Sequence, residues 1–355
     1  MSSKVYFAPV KDGDSLEKVA ESAVKLFDKA GFASIISASS LVAIKQHVGE
    51  GQNTTHINPT ITKAIISKVK SLGAKPFLTD SNTLYRGRRT NAVDHLILAA
   101  EHGFTQEKLG APVIIADGLI GVEQVPVKIN KKHFKEVFVS SAGYHAHCII
   151  ALTHVTGHPI SGLGGTIKNF AMGLASRSGK INQHSNVRPK VKGSDCKACG
   201  TCAEWCPADA ITVEKVAVID YDKCIGCGEC IAICPSQAIE VPWGESSENL
   251  QEKMAEYTLG IVKNKKGKIG CMSFITNVTK GCDCYGTVQE KEIPDIGILA
   301  SNDPVALDTA SADIMIKKLG KDTFKEFYSN VDYRIQMRHG QAIGLGSMEY
   351  ELVEL

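Results

Sequence analysis

The chain has 355 residues, 43% of them apolar, and a formal net charge of only +2. Near-neutral charge removes any bulk electrostatic case for a nucleic-acid or acidic-membrane partner. The apolar content suffices for a sizeable core in about two domains, but no window approaches the ~18 apolar residues of a membrane span and the N-terminus lacks a signal-peptide run, so a cytoplasmic protein is expected.

In chain order, residues 5–8 read as a strand, followed by a helix that Asp14 and Glu17 open as a capping box. Its apolar positions Leu16, Val19, Ala20, Ala23, Val24 and Phe27 keep helical spacing up to a stop at Gly31. Residues 41–44 read as a buried strand. Asn58 and Pro59 open a second helix, apolar at Ile61, Ala64, Ile65, Val69 and Leu72 and stopped by Gly73. Residues 77–79 read as a strand, 92–101 as a helix and 113–116 as a strand. Alternation of this kind predicts a mostly parallel sheet covered by helices.

Histidines then concentrate: His145, His147, His154, His158 and His184 are five of the eleven in the chain. Neutral imidazole ligates metals and carries protons near pH 7. Gly157 and Pro159 argue against one regular helix through His154 and His158. The run GLGGTIKN follows at 162–169. Gly162, Gly164 and Gly165 would let a ligand approach the backbone, the helix start would attract an anion, and Lys168 and Asn169 would add polar groups. The spacing is neither a Walker A loop nor a dinucleotide fingerprint. A tight strand-to-helix turn explains the same glycines equally well.

The strongest signal lies at 196–235, where C-x2-C-x2-C-x3-C-P occurs twice. Cys196, Cys199, Cys202 and Cys206 form the first run, and Cys224, Cys227, Cys230 and Cys234 the second, 28 residues later. This is the run that holds cubane iron–sulfur clusters. Three cysteines on a tight loop wrap one side of a cube, and the fourth reaches it poorly, so it comes from the other repeat. Cluster I is therefore assigned to Cys196, Cys199, Cys202 and Cys234, and cluster II to Cys224, Cys227, Cys230 and Cys206. Zinc knuckles come as separated pairs without the proline, and a disulfide framework needs an oxidising compartment. Each repeat should carry one short helix and one hairpin strand. Segments 187–193 and 242–247 have linker-like composition.

After the cysteines, residues 268–275 and 295–300 read as strands, and Asp303 and Pro304 start a helix that Gly320 stops. Cys282 and Cys284 flank Asp283 between Gly281 and Gly286. Two thiols one residue apart suit metal chelation or contact with a ligand, although two reduced cysteines in a turn would look the same. Cys148 and Cys271 sit in apolar runs and read as core.

Several segments together carry a family resemblance. They are VAIK at 42–45, APVIIADG at 111–118, HVTGH at 154–158 leading into GGTIKN at 164–169, and Gly173, Gly179, Lys180 and His184. After the cysteine run come CDC at 282–284, DIGILAS at 295–301 and DPVA at 303–306. The chain resembles the DUF362 family, specifically its iron–sulfur members, over nearly its whole length. Val155 and Thr156 stand where the family tends to carry Phe-Lys, so no charge acts there. The resemblance implies an α/β domain, residues 1–189 and 244–355, interrupted at 190–243 by an inserted two-cluster, bacterial-ferredoxin-like α+β domain. It supplies no reaction.

The expectation is a redox protein of anaerobic physiology. Two 4Fe–4S clusters would pass electrons between a soluble partner and a pocket in the α/β part, in a reductive reaction on a small molecule. Candidate catalytic residues are His154, His158, His184, Cys282 and Cys284; candidate cofactor-binding residues are Gly162, Gly164, Gly165, Lys168 and Asn169. A further metal, flavin or nucleotide would mark an enzyme. Its absence would mark a non-catalytic electron-transfer subunit docked on a larger complex. Labile metal at Cys282 and Cys284 would mark a metal- or cluster-maturation factor.

Overall fold

The computed structural model describes residues 3–85, 87–184, 188–241 and 246–355. Residue 187 of the first linker-like segment and residues 242–245 of the second lie outside them. One eight-stranded sheet organises the chain. Its order is Tyr350–Glu354, Ser3–Pro9, Gly297–Ser301, Ile269–Ile275, Cys148–His154, Leu41–Lys45, Lys75–Asp80, Val113–Ile115. Neighbours run parallel except at Gly297–Ser301, which is antiparallel to both of its partners. Strands from before and after the cysteine run thus hydrogen-bond directly, Ile269–Ile275 against Cys148–His154.

Both sheet faces are covered, as parallel sheets require. Alternate residues along Cys148–His154 go to different cores. Ile149 and Ala151 join the core under helices Thr166–Gly173, Ser247–Lys263 and Pro304–Leu319, whereas Ile150 and Leu152 join the core under Leu16–Lys29 and Pro59–Ser71. Strand period and helix period therefore agree with one buried sheet.

Most helix boundaries follow local chemistry. Asn58 caps Pro59–Ser71 through Thr60 N–H, and Asp303 caps Pro304–Leu319 through two backbone N–H groups. The first helix differs from expectation. Leu16–Lys29 is capped by Ser15, whose hydroxyl accepts from Lys18 N–H. Asp14 instead accepts from Lys11 N–H and the Lys18 ammonium. Starting one residue later puts Glu17 at the second helical position, so the capping box cannot form, and Leu16 is exposed.

The cysteine run forms its own small set of elements. Ile211–Val213 pairs with Ala217–Ile219, Lys190–Val191 pairs with Ile239–Glu240, and two short helices span Thr201–Glu204 and Glu229–Ile233. The 28-residue repeat is written into the backbone. Left-handed residues recur at Ala198 and Gly226, Gly200 and Gly228, and Asp209 and Gln237. Among the described residues no helix is long and apolar enough to cross a membrane.

Candidate functional site

The carboxyl ends of three adjacent parallel strands place Lys45, Asp80 and His154 along one edge of the sheet. Open α/β sheets collect ligands there, because loops diverge at that edge. A cavity of ≈ 240 Å³ opens over these residues. The helix Thr166–Gly173, the helix Arg177–His184 and the loop bearing residues 282–285 complete its wall.

The structure brings most of the sequence candidates to this one cavity. His154, His158, His184, Gly164, Gly165, Lys168, Asn169, Cys282 and Cys284 all line it. Gly162 does not: its left-handed backbone (φ 71°) packs where a Cβ would lie 2.7 Å from that of Tyr333. His145 and His147 are exposed, and His147 Nδ1 accepts from Leu41 N–H.

The glycines serve packing. A Cβ on Gly164 would meet the Thr156 hydroxyl at 2.7 Å, and one on Gly165 would meet the Asp308 carboxylate at 2.6 Å. Asp308 is buried and accepts from Thr166 N–H at 2.6 Å and Ile167 N–H at 2.9 Å. The amides at this helix start are therefore already satisfied by a side chain from Pro304–Leu319, and the expected anion site at the helix start is filled by the protein itself. Burial raises the Asp308 pKa to about 6, against the lowering effect of these two amides.

A buried polar chain holds the near wall. Lys45 bonds Asn169 Oδ1 at 2.7 Å and Asp80 at 3.0 Å. Asp80 also pairs with Arg89 at 3.1 Å, and Arg89 with Glu50 at 3.0 Å and with Tyr85. Burial opposes ionisation of Asp80, but Lys45 and Arg89 outweigh it and keep its pKa low. Asp80 and Arg89 were not singled out from sequence, and Lys45, Lys180 and Asp283 entered only through segments that carry the family resemblance, with no role in a site. The available signal was a lysine and an aspartate closing apolar strands at 41–45 and 75–80.

On the far wall, His154 Nδ1 meets Asp283 Oδ2 at 2.9 Å, and its Nε2 donates toward the Thr276 carbonyl at 2.9 Å. Burial opposes the charge on His154, but the Asp283 carboxylate prevails and raises its pKa. His158 differs. Its Nδ1 accepts from Ser161 N–H at 3.1 Å, and burial holds its pKa well below 6.5. Burial together with Lys168 and Lys180 brings His184 down to about 3. Burial likewise lowers Lys168 to about 8. Among the described residues Lys168 has no hydrogen-bond or ion-pair partner. Lys45 and Arg89 are paired with Asp80 and Glu50, Lys180 lies 3.5 Å from Asp117 and His154 pairs with Asp283, which leaves Lys168 as the unbalanced cation among the described residues of the wall, so the cavity favours an anion. Cys282 and Cys284, expected as thiols, are joined in a disulfide.

The other eight candidate cysteines are unpaired. Two further small cavities lie among them. One is lined by Cys206, Cys224, Cys227 and Cys230, the other by Cys196, Cys199, Cys202 and Cys234. Backbone N–H groups point at the fourth sulfur of each repeat, Ala210 to Cys206 at 3.3 Å and Ala238 to Cys234 at 3.2 Å.

The helix Arg177–His184 lies between the cysteine segment and the large cavity. Ile181 and Leu84 belong to the apolar cluster of the cysteine segment, together with Cys202, Ile211 and Ile231. A Cβ on Gly228 would lie 2.7 Å from Ile181 and 3.1 Å from the Arg177 side chain. On the same helix Lys180 and His184 line the large cavity, as does Leu84.

Fold and site define an α/β protein with a cationic cavity at the carboxyl edge of its sheet and a cysteine-rich segment packed behind one wall. The chain belongs to the family described as Domain of unknown function (DUF362), which matches residues 42–313. A crystal structure of a Thermotoga maritima protein is similar, at 10% identity and a TM-score of 0.40, over 94% of this chain and 60% of that one. The lactate racemase apoprotein from Thermoanaerobacterium thermosaccharolyticum is similar at 12% identity and a TM-score of 0.39, over 77% of this chain and 50% of that one. The chain thus spans 60% and 50% of those two lengths, and likeness at that level fixes no activity. No curated protein matches the chain.

Proposed function

We propose that the protein is an iron–sulfur oxidoreductase in which residues 190–243 form an inserted, ferredoxin-like unit and residues 1–189 with 244–355 form the substrate-binding α/β domain. Cys196, Cys199, Cys202 and Cys234 hold one 4Fe–4S cluster; Cys224, Cys227, Cys230 and Cys206 hold the other. The fit rests on four cysteines around each small cavity, three from one repeat and one from the other, with N–H groups aimed at the crossing sulfur. When bound, such clusters would supply electrons singly, which a soluble donor would replenish.

The observation that carries the reading is the shared helix Arg177–His184, with Ile181 on the cysteine segment and Lys180 and His184 on the cavity. The chain's own residues then do the rest. Lys168, the cation with no ion-pair partner among the described residues, attracts a small anionic substrate, and the buried walls exclude bulk water. Lys168 and Lys180, both lowered to about 8 by burial, are the exchangeable proton carriers near neutral pH. The His154–Asp283 pair fixes the loop that closes the cavity.

Anaerobically purified protein should contain about eight irons and eight sulfides per chain and, when reduced, give the EPR signal of two interacting S = 1/2 centres. An iron count near four, or stoichiometric zinc in place of iron, refutes it.

A further inference from the structure

The disulfide in the cavity wall is unlike a structural staple. It closes a three-residue loop, Cys282 to Cys284. A crosslink constrains the unfolded chain least when its loop is shortest. The intervening Asp283 is already anchored, by His154 at 2.9 Å and by the Thr55 hydroxyl at 3.2 Å. The loop therefore keeps its place whether or not the sulfurs are bonded. Both cysteines line the cavity, where Lys168 stands unpartnered among the described residues.

A single metal ion is the competing occupant. A ring nitrogen of His158 and the two sulfurs all lie within 4.8 Å of one another. The hydrogen bonds of His158 disfavour ligation. Its Nδ1 faces two backbone donors, Ser161 N–H at 3.1 Å and Ile160 N–H at 3.3 Å, together with the Ser161 hydroxyl at 3.0 Å. Two N–H donors favour a lone pair on Nδ1 and the ring proton on Nε2, the tautomer whose second nitrogen has no lone pair for a metal. An Nε2–H can, however, donate to a thiolate sulfur.

We propose that Cys282 and Cys284 are a redox-active disulfide–dithiol pair, the two-electron, two-proton station of the cavity. On reduction the S–S bond breaks, two electrons enter, and each sulfur takes one proton, giving two thiols. The protons come from water in the cavity that both sulfurs line. The electrons come in two single steps from the cysteine-rich unit, or together from an external dithiol. Reoxidation returns two electrons and two protons to an acceptor in the cavity. Only the single-electron supply rests on the function proposed above; the pair's redox activity stands alone.

The test uses the whole chain, purified anaerobically and equilibrated in mixtures of reduced and oxidised dithiothreitol. Acid quenching, alkylation with N-ethylmaleimide and trypsin release residues 281–291, which contain these two cysteines and no other. The expected result is a peptide either unlabelled or doubly labelled, passing from one to the other with the dependence of a two-electron couple. A peptide doubly labelled in every mixture overturns the proposal. So does one equivalent of metal per chain that Cys282→Ser with Cys284→Ser releases. In a second arm, dithionite reduces the chain and excess reagent is removed before trapping. Double labelling there, absent in Cys206→Ala, supports supply through the cysteine-rich unit. Its absence, with the dithiothreitol arm positive, refutes the proposed electron route and leaves the redox pair standing.

Discussion

Replacing Asp308 by asparagine probes how the helix carrying Lys168 and Asn169 is held at the cavity. The Asp308 oxygens accept from Thr166 N–H and Ile167 N–H at 2.6 and 2.9 Å. An amide keeps one acceptor and turns an NH2 toward the other N–H, leaving a buried donor unpaired at a cost of about 1–3 kcal/mol. The pH dependence is the sharper signature. Burial raises the folded pKa of Asp308 to about 6 from 3.8. In such a case the folded state holds a proton that the unfolded state has released. Stability is full below the unfolded value and falls as pH rises through the folded one, by about 3 kcal/mol in all. The substituted amide cannot titrate, so the destabilisation caused by Asp308→Asn should shrink by about 2 kcal/mol between pH 4.5 and 7, the larger part of that span. Anaerobic urea unfolding followed by far-UV circular dichroism at several pH values measures both curves. Parallel curves would mean that the two amides keep Asp308 ionised throughout, and the assignment of burial as the winning effect would be wrong.

Asp283→Asn removes the counter-charge of His154, whose folded pKa is raised while that of Asp283 is lowered. The His154 contribution is full below pH ~6.5 and lost above it; the Asp283 contribution is present above pH ~4. The substitution should therefore cost most between about pH 4 and 6.5, on the order of 3–5 kcal/mol, and less at pH 8, read by thermal unfolding; an equal cost at both pH values would show that His154 is neutral throughout. Cys206→Ala should halve the iron content to about four per chain and damage the centre held by Cys224, Cys227 and Cys230, leaving the one at Cys196, Cys199 and Cys202; selective loss of the latter in EPR would reverse the ligand sets.

Local chemistry was legible wherever a signal is short-range. The caps at Asn58 and Asp303, the stops at Gly31 and Gly320 and the helix at Ala92–Glu101 depend on neighbours within one turn. The cysteine spacing is equally local, since each repeat writes its own loop. The antiparallel course of Gly297–Ser301 was hidden, because an apolar strand looks the same in either direction and its partners are chosen by the rest of the sheet. The Ser15 cap was missed because Asp14 and Ser15 offer equivalent oxygens, and only the packing of Leu16–Lys29 chooses between them.

The same division runs through the site. Sequence alone picked out the histidines, Lys168, Asn169 and the two cysteines of the 282–284 loop, because those residue types carry chemistry wherever they stand. It did not show that Gly165 makes room for Asp308, 143 positions later, or that Lys45 reaches Asn169 across 124 positions. Nor did it reveal that Leu84 and Ile181 join the cysteine segment to the cavity wall. Those pairings arise when parallel strands bring distant carboxyl ends to one edge, so that burial and charge select partners the chain order never places together.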